Sequence, residues 1–246
     1  MGFTYWGDLL GMSGYYRLNP AVAKDKLNDF YNTTFYSLSD YCVSHPEVTV
    51  VMFSDSLLIY GEDALPVLKE LHKVYVKLIH KALLLRGAMV KGKLEFEPRY
   101  TLGNFTKDLP KDDTLARAVG LEEIKKGARL LLERELAAEL LAHYPDWLTH
   151  EGYVRSLRAG GRQERIDSIL RRIAPTPEQD YYECLYFWVC HEDFSHAGID
   201  YSERIKELEA IQSMLKDNIA EHYRQTVALL KRCQKRQTLT ASIIRS

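Results

Sequence analysis

The chain has 246 residues, and its 33 lysines and arginines against 34 aspartates and glutamates leave a formal net charge of -1 at pH 7. Hydrophobic residues make up 46% and charged residues 27%, which is typical of a globular protein with its own core and excludes an extended disordered chain. A general nucleic-acid-binding protein carries a basic excess, which this chain lacks. The charge balance therefore argues against a nucleic-acid partner.

The cysteine content and the apolar runs bear on the compartment. Four cysteines in a chain of this length are too few and too scattered for a disulfide-rich secreted domain. The first residues lack the basic-then-apolar order of a signal peptide, and the longest apolar runs fall far short of the ~18 to 20 residues that span a bilayer. We therefore expect a cytoplasmic protein with reduced thiols and no membrane segment.

The first part of the chain shows an alternation of strand and helix patterns. Apolar residues at helical spacing predict helices, and runs of β-branched and aromatic residues predict strands. The elements expected in chain order are a strand within residues 1–10, a helix over 20–43, a hairpin over 48–60, a helix over 64–84, a strand over 86–94, a helix from 112 or 113 to 126 and a strand over 128–133. The order β, α, β, β, α, β, α, β predicts an α+β fold.

Beyond Pro145 the composition changes, and Gly160-Gly161 and two prolines near residue 176 mark loops. The patterns predict a basic helix over 162–173, an aromatic strand over 181–190 and a long amphipathic helix over 201–235, with the last ten residues frayed. We therefore divide the chain into a domain over residues 1–143 and a mainly helical C-terminal extension over 144–246 that includes a short strand.

Two aspartates are the leading candidates for chemistry. Asp8 lies in the first strand before a glycine-containing turn, and Asp55 lies at the tip of the predicted hairpin. In an antiparallel sheet with these strands side by side, both carboxylates meet at one edge. Converging carboxylates suit hard divalent cations that bridge to substrate phosphates, and two such ions can stabilise the attacking and leaving oxygens of a phosphoryl displacement. A plain turn role for each aspartate is the structural alternative.

The segment after Asp8 is the candidate phosphate contact. It reads Leu-Leu-Gly-Met-Ser-Gly and precedes a helix, so its backbone N–H groups are placed to bind triphosphate oxygens. An ordinary turn at Gly11 and Gly14 is the alternative.

The order of these segments resembles that of the class III nucleotidyl cyclases. Asp8-Leu-Leu-Gly-Met-Ser13 is similar to the family's Asp-Ile-x-Gly-Phe-Thr, and Ser54-Asp-Ser-Leu-Leu-Ile-Tyr-Gly61 is similar to the hairpin that carries its second metal-binding aspartate. Residues 85–92 look like the family's Arg-x-Gly-Ile-x-x-Gly strand, and residues 118–132 look like its later helix and strand. The resemblance covers residues 1 to about 143.

The resemblance implies a ferredoxin-like or palm-like domain with an antiparallel sheet and helices on one face. It implies two divalent cations, Mg²⁺ or Mn²⁺, held by Asp8, Asp55 and the Leu9 carbonyl. It also implies attack of the ribose 3′-oxygen on the α-phosphorus, with release of pyrophosphate and a 3′,5′-cyclic nucleotide. The other candidate residues are Arg86, Lys91 and Lys93 for the triphosphate, Arg117 for transition-state charge, and Trp6, Gly11, Met12 and Ser13 for the substrate pocket.

Within the family the chain looks most like the bacterial antiphage pyrimidine cyclases of the Pycsar systems. Purine cyclases usually carry a base-recognising lysine four residues before the second metal aspartate, where this chain has Val51. Their late-helix Asn and Arg fall on Ala116 and Gly120 in one register, and on Asp113 and Arg117 in another. The resemblance thus implies UTP or CTP as substrate and a cyclic nucleotide signal in antiphage defence.

Family members form head-to-tail homodimers with their sites across the interface, so a homodimer is implied. Two other functions are considered beside the cyclase. One is a catalytically inactive, cyclase-like nucleotide-binding sensor or scaffold. The other is a palm-domain polymerase, which is disfavoured because its usual Gly-Gly-Asp-Asp hairpin is Phe53-Ser-Asp-Ser56 here, with a single carboxylate.

Overall fold

The structure is a computed structural model that describes residues 2–97, 100–102, 105–143, 157–159, 162–164, 170–173, 181–184, 201–215 and 217–244. The strands are β1 (Phe3–Leu9), β2 (Thr49–Phe53), β3 (Ser56–Gly61), β4 (Leu85–Lys91), β5 (Tyr100–Leu102), β6 (Phe105–Lys107), β7 (Leu130–Glu133), β8 (Leu157–Ala159), β9 (Arg162–Glu164), β10 (Leu170–Ile173) and β11 (Tyr181–Cys184). The helices are α1 (Met12–Leu18), α2 (Pro20–Ser44), α3 (Ala64–His80), α4 (Thr114–Glu123), α5 (Arg134–His143), α6 (Tyr201–Met214) and α7 (Asp217–Ile244).

One sheet organises the fold. Its seven strands lie in the order β10-β11-β7-β4-β1-β3-β2, and β5-β6 and β8-β9 form separate two-stranded ribbons. Neighbouring strands of the main sheet pair antiparallel, except that β4 and β7 are parallel. β1 lies between β3 and β4, with Asp8 opposite Ser56 on one side and Arg86 on the other. The predicted α+β fold with a mainly antiparallel sheet is confirmed.

The two faces of the sheet are covered differently. Phe3 and Tyr5 of β1 are fully buried in the main core, together with side chains of α2 and α3. Because side chains alternate along a strand, Trp6 and Asp8 point to the opposite face. On that face Ala88, which pairs with Trp6, contacts Leu121 of α4 in a smaller apolar cluster. Helices thus cover both faces, whereas the resemblance implies them on one, because α4 packs Thr114, Ala118 and Glu122 against this part of the fold.

The extension differs from the sequence prediction in its secondary structure. Residues 162–173, predicted as one basic helix, contain β9 and β10. β10 pairs with β11, and β11 pairs with β7, so long-range strand pairing overrides the local helical pattern. The predicted strand over 181–190 is observed as β11, and residues 185–190 lie outside the described residues.

The predicted helix over 201–235 is two helices. α6 and α7 run antiparallel, as shown by Lys231 bonded to Glu209 and Gln234 bonded to Ser202. α7 continues to Ile244, beyond the predicted start of fraying. No helix in the described part of the chain has both the length and the apolarity that crossing a bilayer requires.

The sheet and the core continue across residue 143. β11 of the extension pairs with β7, and Leu230 and Cys233 of α7 lie in the same buried cluster as Phe3 of β1. The described residues before and after residue 143 therefore share one core. The division of the chain into two domains at this residue stays a prediction.

Two glycines make room for a buried tyrosine beneath the centre of the sheet. The Tyr5 hydroxyl lies 3.2 Å from the Tyr75 hydroxyl of α3. A Cβ atom at Gly7 would stand 2.2 Å from the Tyr5 hydroxyl oxygen, and one at Gly87 would stand 2.5 Å from it. The ring therefore requires that both positions have no side chain.

We expect Gly87→Ala to lower the free energy of unfolding by about 1–3 kcal/mol, the usual cost of overpacking a core. Denaturant unfolding measures this change. Gly120→Ala on α4 is the control, because a Cβ there meets nothing within 4 Å and alanine favours a helix by about 0.5–1 kcal/mol. Equal stability of Gly87→Ala and the unmodified protein would contradict the observed fit of Tyr5.

Candidate functional site

The end of β1 and the tip of the β2–β3 hairpin are joined by the backbone. Ser54 and Asp55 form the two-residue connection, with Ser54 in the left-handed region at φ 53°. The Leu9 N–H donates to the Asp55 carbonyl oxygen at 2.8 Å, and the Ser56 hydroxyl donates to Asp8 Oδ1 at 3.4 Å. These bonds bring Asp8 and Asp55 to the same end of the sheet.

The electrostatics of Asp8 reflect this proximity. Burial raises the pKa of Asp8 to about 6, and the negative charge of Asp55 adds to the increase. The positive charge of Arg86 and the hydrogen bond from Ser56 act in the opposite direction and do not cancel it. In the absence of a cation the two carboxylates therefore repel each other, and a divalent cation between them would relieve that repulsion.

The donor set fits one kind of metal ion. Within the described residues, no group of three or more His, Cys, Asp or Glu side chains is placed to hold a metal. Zinc sites use three or four protein ligands, whereas Mg²⁺ binds through one or two carboxylates and takes its other ligands from water and substrate phosphates. Asp8, Asp55 and the Leu9 carbonyl thus fit Mg²⁺ or Mn²⁺ shared with a phosphorylated substrate.

A buried ion pair lies beside Asp8. Arg86, opposite Asp8 on β4, donates through Nε to a carboxylate oxygen of Glu122 on α4, whose side chain is 3% exposed. Burial raises the pKa of Glu122 to about 7, against the attraction of Arg86 and with a smaller contribution from the charge of Asp8. Arg86 is therefore next to Asp8 and is also held by Glu122.

The sequence does not mark Glu122 as a neighbour of Asp8 and Arg86. No local signal marks it, since its contact with Arg86 depends on α4 packing against the face of the sheet that carries Asp8. A glutamate at a buried position of an amphipathic helix is the one feature that could have indicated it.

The turn after β1 presents backbone to the same region. Gly11 adopts φ 86°, which favours glycine, and precedes the short helix α1, where the sequence pattern predicts only a turn. Met12 is 2% exposed, so its side chain belongs to the core and only its backbone is available to a ligand. Ser13 is exposed, and Trp6 is half-buried on the same face as Asp8.

Solved structures with a similar architecture are nucleotide cyclases. The adenylyl cyclase CyaB from P. aeruginosa matches with a TM-score of 0.51 and 12% identity, over 78% of this chain and 95% of that chain. A bacterial light-regulated adenylyl cyclase also matches with a TM-score of 0.51, at 11% identity, over 87% of this chain and 57% of that chain. The fold is that of a class III nucleotide cyclase domain. No family model matches the chain, and the search of curated proteins gives no match.

In this cyclase fold, three basic candidates lie far from the aspartates. Lys91 is opposite Phe3 at the other end of β1, five residues along β4 from Arg86, which is about 17 Å. Arg117 donates to the Lys91 carbonyl at 2.9 Å, so it lies at that end too. Each of the three is ion-paired within the chain, Lys91 with Glu139, Lys93 with Glu62, and Arg117 with Asp113 and Glu133. A single chain therefore does not bring them to Asp8 and Asp55.

A cavity of about 120 Å³ lies beside the Gly11 turn of the cyclase fold. The turn and α1 form one wall, and α7 of the extension forms the other. The lining residues are Leu10, Gly11, Ser13 and Tyr15 on the first side and Ile219, His222 and Tyr223 on the second. The sequence pattern predicts α7 only as part of an amphipathic helix and gives no sign that it lines this cavity.

Proposed function

We propose that this protein is a nucleotide cyclase that converts a nucleoside triphosphate, UTP or CTP, into a 3′,5′-cyclic nucleotide and pyrophosphate. The observation that carries the proposal is the convergence of Asp8 and Asp55 at one end of β1 in a cyclase fold, close enough for the charge of Asp55 to raise the pKa of Asp8. Such a pair suits phosphoryl transfer assisted by divalent cations.

Asp8, Asp55 and the Leu9 carbonyl are the groups that would hold two Mg²⁺ or Mn²⁺ ions. When bound, such ions lower the pKa of the ribose 3′-hydroxyl and stabilise the charge on the α-phosphate and leaving oxygens. The hairpin bond between Leu9 and Asp55 keeps both carboxylates oriented. The backbone of residues 10–13 orients the triphosphate, Trp6 lines the sugar or base pocket, and the charge of Arg86 attracts the phosphates.

The proposed active unit is a head-to-tail homodimer. Asp8 and Arg117 lie at opposite ends of the sheet, so a site that uses both takes them from different protomers. The sheet face of β2 supports this assembly, since Val51 is 43% and Phe53 is 78% exposed there. Exposed apolar side chains on a sheet face are typical of an interface. Lys91, Lys93 and Arg117 would then exchange their present ion pairs for the triphosphate of the other protomer's site.

The proposed base preference and biological role follow the Pycsar resemblance. Val51 precedes Asp55 by four residues on β2 and lies opposite Leu58 of β3, so the position offers no cation to a purine. The proposed product is cUMP or cCMP, which serves as a signal in antiphage defence in the cytoplasm.

The decisive assay incubates the full chain with each of the four nucleoside triphosphates and with Mn²⁺ or Mg²⁺, and identifies the products by mass spectrometry. We expect a cyclic monophosphate from UTP or CTP, and none after metal chelation. A cyclic purine nucleotide would overturn the base preference and leave the cyclase reaction standing. Absence of any cyclic product, also in the presence of a phage extract, would contradict the reaction itself.

One observation favours a second function, that of an inactive cyclase-like nucleotide sensor or scaffold. Arg86 and Arg117, the two arginines proposed for the reaction, are both engaged by carboxylates of their own chain. Calorimetry that detects triphosphate binding by a protein without turnover would select this function.

A further inference from the structure

The C-terminal helix α7 is docked on the turn that follows the metal aspartate. Ile219 lies so close to Gly14 that a Cβ there would stand 3.1 Å from its Cδ1 atom. Tyr223 of α7 and Tyr15 of α1 line the same cavity from opposite sides. Between these contacts, Ser13, Tyr15, His222 and Tyr223 place polar side chains around the cavity of about 120 Å³. It has room for several water molecules or one phosphate group.

The hydrogen bonds of His222 determine which of its ring nitrogens carries the proton. Nδ1 accepts the backbone N–H of Gly127 at 3.2 Å, so in the neutral ring the proton is on Nε2. Thr226, one turn later, accepts the Ala128 N–H at 2.8 Å and donates to the His222 carbonyl at 2.8 Å, which anchors this part of α7. The group that His222 has left for a ligand is therefore the Nε2–H donor.

The surroundings of the imidazole keep it neutral. Burial lowers the pKa of His222 to about 4, and the positive charges of Arg86, Lys126 and Arg129 lower it further, against Glu221. The ring is therefore neutral at pH 7 and remains a donor. Arg86 and Arg129 are themselves paired with Glu122 and Glu183, so what the cavity offers an anion is the Nε2–H donor together with the hydroxyl groups of Ser13, Tyr15 and Tyr223.

We propose that this cavity binds phosphate oxygens of the substrate, with the Nε2–H of His222 as a donor, so that helix α7 of the extension completes the substrate site. The identity of the ligand as a nucleoside triphosphate rests on the proposed cyclase function. The binding of a polyphosphate by the cavity does not. His222 is thus a substrate-binding residue, and the extension contributes to the site that the first 143 residues begin.

Two variants distinguish a His222 that donates to a ligand through Nε2 from a His222 that only holds Gly127 through Nδ1. His222→Asn retains an acceptor near the position of Nδ1, for Gly127, and removes the donor at Nε2. His222→Gln retains a donor near Nε2 and gives up the acceptor. Calorimetry with inorganic tripolyphosphate and Mg²⁺ measures the affinity of the full-length variants, and thermal unfolding verifies that each is folded.

We expect His222→Asn to bind tripolyphosphate about 10-fold or more weakly than the unmodified protein, as for loss of a hydrogen bond to a charged ligand. His222→Gln should stay within about threefold of the unmodified protein, and KM for the nucleotide should follow the same order. A purely structural histidine predicts the reverse, with His222→Asn unchanged and His222→Gln impaired, and this result would overturn the proposal. Absence of tripolyphosphate binding by the unmodified protein would also overturn it.

If either variant does not fold, an NMR measurement on the unmodified protein tests whether His222 contacts tripolyphosphate. The ¹H and ¹⁵N signals of the Nε2–H group of His222 in the unmodified protein should shift as tripolyphosphate is added. Unchanged signals at saturating tripolyphosphate would refute the contact. Tripolyphosphate binding that depends on His222 in a protein that forms no cyclic product would remove the cyclase reaction and retain the anion site, so the two failures are distinguishable.

Discussion

Asp55→Asn is expected to lower kcat for cyclic nucleotide formation by about 10²–10³-fold or more, as for loss of a group that stabilises transition-state charge. Asparagine keeps the size and turn preference of aspartate but removes the negative charge that a divalent cation needs. Initial rates measured over a range of Mn²⁺ concentrations test this, and the loss should persist at high Mn²⁺.

Asp55→Asn also distinguishes a loss of catalysis from a loss of stability. Removing the charge of Asp55 removes one of the causes that raise the pKa of Asp8, so Asp8 ionises more readily in the folded protein. The thermal midpoint of the metal-free Asp55→Asn variant should therefore equal or exceed that of the unmodified protein. Asp25→Asn, at an exposed position of α2, is the matched control and should change neither activity nor stability. Full activity of Asp55→Asn would eliminate the metal role of this residue.

Arg86→Met is expected to lower the free energy of unfolding by about 3 kcal/mol at pH 8, because it leaves Glu122 buried without its cation. The loss should be smaller at pH 5. Glu122 has a pKa of about 7 in the folded protein against 4.5 for an ordinary glutamate, so its contribution to stability is complete below 4.5 and is lost as the pH rises through 7. Without Arg86 this pKa rises further, and the penalty at pH 8 grows.

Denaturant unfolding at the two pH values measures this difference. The double variant Arg86→Met with Glu122→Leu should recover most of the stability at pH 8, since replacing a buried pair by apolar residues is often neutral. Lys73→Met, which removes the surface pair with Glu70, is the control and should change stability by less than about 1 kcal/mol at either pH. A loss for Arg86→Met that is equal at pH 5 and pH 8 would show that Glu122 does not titrate as described.

The β2–β3 hairpin illustrates how far local sequence information reaches. Its two apolar runs and the polar residues between them predict strands and a tight turn with Asp55 at the tip, and the structure has this arrangement. The helix that begins at Pro20 is likewise marked in the sequence, and the Asn19 side chain accepts the N–H groups of its first turn. Such features depend on residues a few positions apart.

The extension illustrates where that information ends. The stretch over 162–173 has the composition of a helix, yet β10 forms because β11 offers it a strand edge. The contact between Arg86 and Glu122 spans 36 residues, and the contact between Gly127 and His222 spans 95. No periodicity in the chain reports which elements will meet at such separations.

The sequence by itself therefore determined the α+β class, the positions of Asp8 in β1 and of Asp55 at a hairpin tip, and the turn between β1 and α2, because short-range backbone preferences and hydrophobic alternation encode them. Only the tertiary structure decided that α4 places Glu122 beside Asp8, that three basic candidates lie at the far end of the sheet, and that α7 lines the cavity next to Gly11. The physical reason is that these arrangements depend on how whole elements bury their apolar faces against one another. That packing is set by the total core and not by any single segment.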